Sequence, residues 1–441
     1  MLQHVERVVD LLDPGLNHLY NMDVEEARRR VLSGDPAAVR GIEGSFALVA
    51  RDGITVRLAR SLDRPVRYFL AKRQEGPALF VADRIDALAR ALAEEGLADQ
   101  FNPSYTRMVP AHYLVELRLV GCPDPDPSYT RFFSPRRDAL PRDLDEIGQR
   151  YIGALAAETA KWLGTVGPRE PIGVAFSGGI DSGSVFLVLY DTMLRLGLSP
   201  ARLKAFTLNL GDAPDVDQSR AFLEALGLSM FLEEIAADAR ALDVGETLRT
   251  LEDYKPLDVQ CAAMGLLLCQ GVRERYPDWR HLVDGDGGDE NLKDYPIEEN
   301  RELTIRSVVN NLMLYHEGWG VGKIKHSLTY SGGLSRGYVR TYAPLRRFGF
   351  SGFSPYTSPN VIEVAEGIPF AALTDYDVPA LYALKGEIVR RGVKALTGLD
   401  MPVFPKRRFQ HGVSAPDALA ALFPEGETDY RRHFEAILAP A

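Results

Sequence analysis

The chain is poor in the residues that hold small or metal-dependent folds together. Only three cysteines occur in 441 residues, Cys122, Cys261 and Cys269, and no CxxC pair is present. That excludes a disulfide framework and a thiolate zinc knuckle, and it predicts a reducing, cytoplasmic setting. Cys261 and Cys269 bracket the apolar run CAAMGLLLC and read as small buried hydrophobes. The eight histidines are scattered, without HxH or HExxH spacing, which excludes the common zinc motifs. No apolar run approaches the length of a membrane span, and the first residues, MLQHVERVVDLLDPG, lack a signal-peptide core. Basic residues are not in excess: the net charge is -10, which argues against a general nucleic-acid binder. Neither internal repeats nor low-complexity tracts are present.

What is present is a two-part pattern, as the length requires. VEEARRRVL has helical spacing, and GSFALVA, ITVRLARS, RYFLAKR and PALFVAD follow as short strands split by Gly, Asp and Pro. IDALARALAEEGL reads as an amphipathic helix and VPAHYLVELRLVG as a strand. The next stretch, CPDPDPSYTRFFSPRRDALPRD, carries prolines at 123, 125, 127, 135 and 141, so it is expected to be an extended linker. From Leu144 the pattern becomes helix, strand, helix, strand, helix: LDEIGQRYIGALAAETAKWL, PIGVAF, SGSVFLVLYDTMLRLG, LKAFTLNL and DQSRAFLEALG. Strands alternating with helices imply a parallel sheet, whose ligands bind beyond the strand C-termini.

At such an end lies VAFSGGIDSGSVF, Val174 to Phe186. It is neither a Walker P-loop nor GxGxxG. A glycine-rich turn leading into a helix N-terminus is an anion cradle. A carboxylate there, Asp181, would repel a phosphate unless a cation stood between them, and Mg²⁺ accepts carboxylate and phosphate oxygens together.

This loop resembles the pyrophosphate loop of the ATP pyrophosphatase superfamily. LVDGDGGDENL (Leu282 to Leu292), SPYTSPNVIEVAEGIP (Ser354 to Pro369) and PKRRFQHGVS (Pro405 to Ser414) resemble further segments of the asparagine synthetase and β-lactam synthetase-like family, in family order. The run from Ile42 to Leu88, with VPAHYLVEL, is similar to the amidotransferase domain that precedes the synthetase domain there. The resemblance covers roughly residues 40 to 120 and 145 to 415. It implies an α/β protein in two domains. Residues 1–135 would form a degenerate glutaminase-like α+β domain of Ntn type. Residues 144–441 would form a parallel-sheet PP-loop ATP pyrophosphatase domain, adenine nucleotide alpha hydrolase-like, with a helical C-terminal part.

The resemblance also assigns roles. Ser177, Gly178, Gly179, Asp181 and Ser182 would cradle the pyrophosphate of ATP, and Asp181 and Asp289 would hold Mg²⁺. Phe176 and Leu208 end adjacent strands at positions that flank adenine in relatives. Asp284, where the family usually has Ser, and Gly285 align with a loop that contacts adenosine. Asp286 stands where asparagine synthetases have Glu and β-lactam synthetase-like enzymes have Tyr, so it would take a proton from an attacking amine. Lys406 aligns with a lysine that meets the α-phosphate. One departure is sharp. Glutamine-using relatives carry a nucleophilic Cys after the initiator Met, and this chain has Leu2, with no cysteine before Cys122. A leucine has no nucleophile to activate, so glutaminase activity is not expected.

The expected activity is AMP- and pyrophosphate-forming ligation of a small-molecule carboxylate to an amine or ammonia, by amidation or by lactam ring closure. Two alternatives stay open, a peptide cyclase of the lasso type and a non-catalytic nucleotide-binding pseudoenzyme. No nucleic-acid or membrane partner is expected, and a homodimer is left open.

Overall fold

In the computed structural model, residues 5–102, 105–118, 126–211, 214–295, 297–299, 303–314, 316, 337–405 and 422–438 are described. They fall into two compact units, one built mainly from the chain up to Ser134 and the other mainly from Pro135 to Phe434.

The first unit contains two four-stranded sheets, beside a two-stranded ribbon of His18–Leu19 and Gly44–Ser45. The strands of the two larger sheets are β1 (Arg7–Asp10), β2 (Ala47–Asp52), β3 (Thr55–Arg60), β4 (Arg67–Ala71), β5 (Ala78–Ala82), β6 (Arg107–Met108), β7 (Tyr113–Leu117) and β8 (Ser128–Arg131). One sheet has the order β1-β5-β4-β6 and the other β8-β7-β3-β2. Side chains alternate across a strand, and the alternation assigns each residue to a layer. Leu79 and Val81 of β5 join Val49, Leu58 and Val115 in a core between the sheets. Ala78, Phe80 and Ala82 of the same strand pack instead on Leu88 and Leu92, which lie on helix α2 (Ile85–Glu94). The outer face of the second sheet, Leu48, Ala50, Ala59 and Leu114, is covered by Ala27 and Val31 of helix α1 (Val24–Ser33). The result is helix, sheet, sheet, helix. Arg60, Arg64 and Arg67 are buried, and their guanidiniums donate to the main-chain carbonyls of Val109, Leu16 and Asp83 respectively.

The proline-rich stretch is not wholly a linker. Ser128–Arg131 pairs antiparallel with Tyr113–Glu116. No proline falls within those four residues, and an edge position asks for hydrogen bonds on one side only.

The second unit is built on a parallel sheet. In chain order it comprises α3 (Leu144–Leu163), β9 (Ile172–Ala175), α4 (Ile180–Arg195), β10 (Leu203–Asn209), α5 (Pro214–Ala225), β11 (Leu232–Ala236), α6 (Pro256–Arg275), β12 (His281–Val283), α7 (Gly288–Asn291), β13 (Ser351–Phe353) and α8 (Val378–Thr397). The sheet order is β11-β10-β9-β12-β13, all parallel. The chain runs outward from β9 to β11, then returns to continue on the other side at β12. Such a reversal opens a crevice between the two central strands at their C-terminal ends. Cys261 and Cys269, on α6, are both buried, as the apolar run predicts. Among the described residues no helix is long and apolar enough to cross a membrane.

Helices α3 and α8 lie close. A Cβ on Gly148 would stand 2.7 Å from the Ile388 carbonyl oxygen and 2.8 Å from the Gly392 nitrogen. A buried lysine is paired with its acid in the same unit. Lys293 Nζ lies 3.2 Å from Glu366 Oε2, with side chains 4% and 3% exposed. Glu366 Oε1 also accepts the Met313 N–H at 2.7 Å. Removing one member strands the other charge in the interior, so Glu366→Leu is expected to cost about 3–5 kcal/mol in urea unfolding.

Candidate functional site

Two loops meet at the crevice, one following β9 and one following β12. The first turns sharply at Gly178, whose φ of +69° disfavours any side chain. A Cβ there would also meet the Ser219 nitrogen at 2.8 Å. Gln218 Nε2 donates to the Ser177 carbonyl at 3.1 Å, tying the turn to α5. Ser177 and Ser182 hydroxyls lie 3.2 Å apart, and Ser182 Oγ accepts the Ser177 N–H at 3.2 Å. Gly179 is the N-cap of α4, and no side chain caps that helix. The positive end of a sixteen-residue helix therefore faces the crevice.

The second loop is Asp284 to Gly288. The Asp284 N–H donates to the Phe353 carbonyl at 3.1 Å, extending the ladder to β13. Its carboxylate accepts the Asp286 N–H at 3.0 Å. That is an Asx turn, and a serine hydroxyl closes the same turn more weakly. Asp284 thus does locally what the family's usual serine can do, and adds a charge. The loop backbone lies against the start of α4: a Cβ on Gly285 would stand 2.8 Å from the Ser182 nitrogen. At Gly288 a Cβ would overlap the Asp181 carboxylate itself.

This close approach brings the two sequence-predicted metal carboxylates together. Asp181 and Asp289 both bond one ammonium, that of Lys385. Lys385 Nζ is 2.7 Å from Asp181 Oδ2 and 3.5 Å from Asp294 Oδ2. The lysine side chain is 3% exposed, whereas Asp181 and Asp289 are 22% and 31% exposed. Burial alone would push the Lys385 ammonium down, but Asp181, then Asp289 and Asp294, hold it well above its ordinary pKa. Behind the carboxylates stands a polar wall. Tyr356 Oη is 2.6 Å from Ser184 Oγ, and Asn291 Nδ2 donates to Tyr151 Oη at 3.2 Å and to the Tyr356 carbonyl at 2.9 Å.

Asp286 lies on the other side of the loop. Burial pushes its carboxyl well above the ordinary aspartate range and the Asp284 charge adds to this, against Thr341 and Arg340. Its Oδ2 is buried without a hydrogen-bond partner, as is Nη2 of Arg340, whose Nε donates to Asp258 Oδ1 at 2.9 Å. Arg340 sits in a short π-helix, Tyr338–Tyr342, a distortion frequent at functional sites.

Phe176 and Leu208 are both buried. The Phe176 ring lies edge-on to Phe186 and Phe222, so its side chain belongs to the core, and the Phe176 carbonyl accepts the Thr207 hydroxyl at 2.9 Å. What these strand ends offer a ligand is main chain. Lys406 lies outside the described residues.

Lys385 was not among the sequence-predicted residues. The signal was there: Leu381, Lys385, Ile388 and Gly392 share the buried face of α8, and a lysine on an apolar stripe needs a buried acid. Tyr356 falls in SPYTSP, where nothing local marks a tyrosine as buried.

Residues 168–347 match the family model described as Asparagine synthase. No curated protein matches the chain. Among solved structures, NAD+ synthetase from Burkholderia pseudomallei is similar over 57% of this chain and 89% of that one, at 16% identity and a TM-score of 0.24. A score of that size carries no argument, and the fold stands on the sheet order described above.

The turn itself can be tested. Gly178→Ala meets both an unfavourable φ and the Ser219 main chain, and is expected to cost about 1–3 kcal/mol. Gly179→Ala meets only the Ser177 hydroxyl, at 3.3 Å, and should stay within about 0.5 kcal/mol of the parent. Urea unfolding of both variants measures the difference.

Proposed function

We propose that this chain, whose residues 168–347 match the Asparagine synthase family model, is an ATP-dependent, amide-forming ligase that adenylates a small-molecule carboxylate and passes the acyl group to an amine or ammonia. The observation that carries the reading is the convergence of Asp181 and Asp289, from two loops, on one cation beside an uncapped helix N-terminus.

The residues fit a divalent ion, because two carboxylates already share a cation. Among the described residues no group of three or more His, Cys, Asp or Glu could hold a metal alone, so phosphate oxygens and water would complete the shell. Asp181 and Asp289 would hold Mg²⁺, which supplies positive charge against the pyrophosphate.

The substrate carboxylate attacks the α-phosphorus, and the bond to the β-phosphate oxygen breaks. N–H groups of the Ser177–Ser182 turn receive the departing pyrophosphate. The amine then attacks the acyl-adenylate carbonyl, and AMP leaves. Asp286 takes the proton the amine sheds, a task suited by a carboxyl that burial makes a stronger base than an ordinary aspartate. Phe176, Leu208, Asp284 and Gly285 would border the adenosine through main chain and loop. Lys406 is assigned to the α-phosphate from its sequence motif alone. The first unit would be a scaffold without glutaminase activity, since no cysteine precedes Cys122.

The test is pyrophosphate release from ATP and Mg²⁺ across a panel of carboxylic acids, with and without amines. Asp181→Asn and Asp289→Asn should each abolish release with the melting temperature nearly unchanged. Nucleotide binding without release on any acid would favour the pseudoenzyme. Lys406→Met should lower release by about 10²–10³ while ATP still binds.

Asp286 predicts a split between the half-reactions. It acts as a base only when ionised, so amide formation should rise with pH through a limb above the ordinary aspartate value of 3.8. Asp286→Asn should remove that limb and slow amide formation while leaving pyrophosphate release largely intact. Single-turnover AMP formation from the preformed adenylate, followed across pH, checks both.

A further inference from the structure

Among the described residues Lys385 bonds both Asp181 and Asp289, and the matched motifs do not contain it. Its place is fixed from outside the site. Helix α8 is docked on α3 through the Gly148–Gly392 contact, and from that seat the lysine reaches Asp181, Asp289 and Asp294. The side chain is 3% exposed, so the ammonium is held against these acids rather than in bulk solvent.

Three carboxylates face this one ammonium, and carboxylate oxygens attract any cation. A free divalent ion, however, would have to settle beside the ammonium, against like-charge repulsion in a poorly screened place. A metal already bound to a nucleotide polyphosphate arrives with negative charge of its own. The ammonium can then turn to a phosphate oxygen, and the repulsion is relieved.

We propose that Lys385 is a positioning residue that serves as the resident counter-ion of the Asp181–Asp289 pair, holding the two carboxylates together and keeping free divalent metal out until it arrives with nucleotide. The inference rests on reading Asp181 and Asp289 as metal carboxylates. It makes the order of binding a property of one side chain.

The probe is Mn²⁺ alone, followed by electron paramagnetic resonance on the full-length protein, with wild type, Lys385→Met and Lys385→Arg compared. Wild type is expected to bind Mn²⁺ weakly without nucleotide. Lys385→Met should bind it at least about tenfold more tightly, because a repelling charge is gone. Lys385→Arg keeps the charge and should remain weak. The double variant Lys385→Met/Asp289→Asn should lose the tight site, which locates it.

Thermal melting supplies a second readout. Lys385→Met leaves acids without their counter-ion, so it should melt lower than wild type and be raised by Mn²⁺, while wild type is not. Equal Mn²⁺ affinity in wild type and a folded Lys385→Met overturns the proposal. If Lys385→Met does not fold, wild type alone decides: Mn²⁺ binding as tight without an ATP analogue as with it also overturns the proposal. None of these measurements needs turnover. A chain that releases no pyrophosphate yet shows the Mn²⁺ gain in Lys385→Met would lose the ligase reading and keep this one.

Discussion

Two loops from different strands can share one cation only if their backbones nearly touch. Here the turn after β9 and the loop after β12 do so, with Gly285 against Ser182 and Gly288 against the Asp181 carboxylate. Everything else in the second unit serves that approach. The strands are neighbours because the sheet reverses its winding between them. The helix after the first loop carries no side-chain cap, which leaves its positive end for a ligand. The Asx turn at Asp284 shapes the second loop and places a charge beside Asp286. One contact thus joins turn chemistry, helix dipole and a perturbed carboxyl.

The parts legible in the sequence are those encoded locally. Ser-Gly-Gly-Ile-Asp-Ser after an apolar strand announces a turn into a helix, and Gly-Asp-Gly-Gly-Asp announces a second. The long helices at Leu144 and Ile180 follow from periodicity, and most strands of the first unit from short apolar runs split by Gly, Asp and Pro. What escaped was encoded non-locally. The strands His281–Val283 and Ser351–Phe353 are three residues each, too short for alternation to register. Arg7–Asp10 is a strand only because Ala78–Val81 pairs with it. Lys385 looks like any helical lysine until tertiary structure surrounds it with acids. A motif search finds the acids, because they sit in unusual turns, and passes over the cation, because it sits in an ordinary helix.

The first unit shows the opposite economy. Its strand side chains alternate between the inter-sheet core and the helix-covered faces, and most of its strands read as short apolar runs split by Gly, Asp and Pro. Its distinctive polar groups, the buried arginines of RSLDRPVR, donate to carbonyls of its own loops. They brace irregular backbone that would otherwise bury unsatisfied acceptors.

The Gly148–Gly392 crossing has a consequence beyond packing. Lys385 lies about two helical turns, or roughly 10 Å, along α8 from Gly392. A helix pivoting at that crossing behaves as a lever: a tilt of about 10° displaces the backbone at Lys385 by roughly 2 Å. The spacing between two hydrogen-only side chains, distant from any ligand, therefore gauges the position of the site's positive charge. Substitutions that thicken the crossing slightly would be read as loss of chemistry rather than loss of fold, and a survey confined to the crevice would miss their cause.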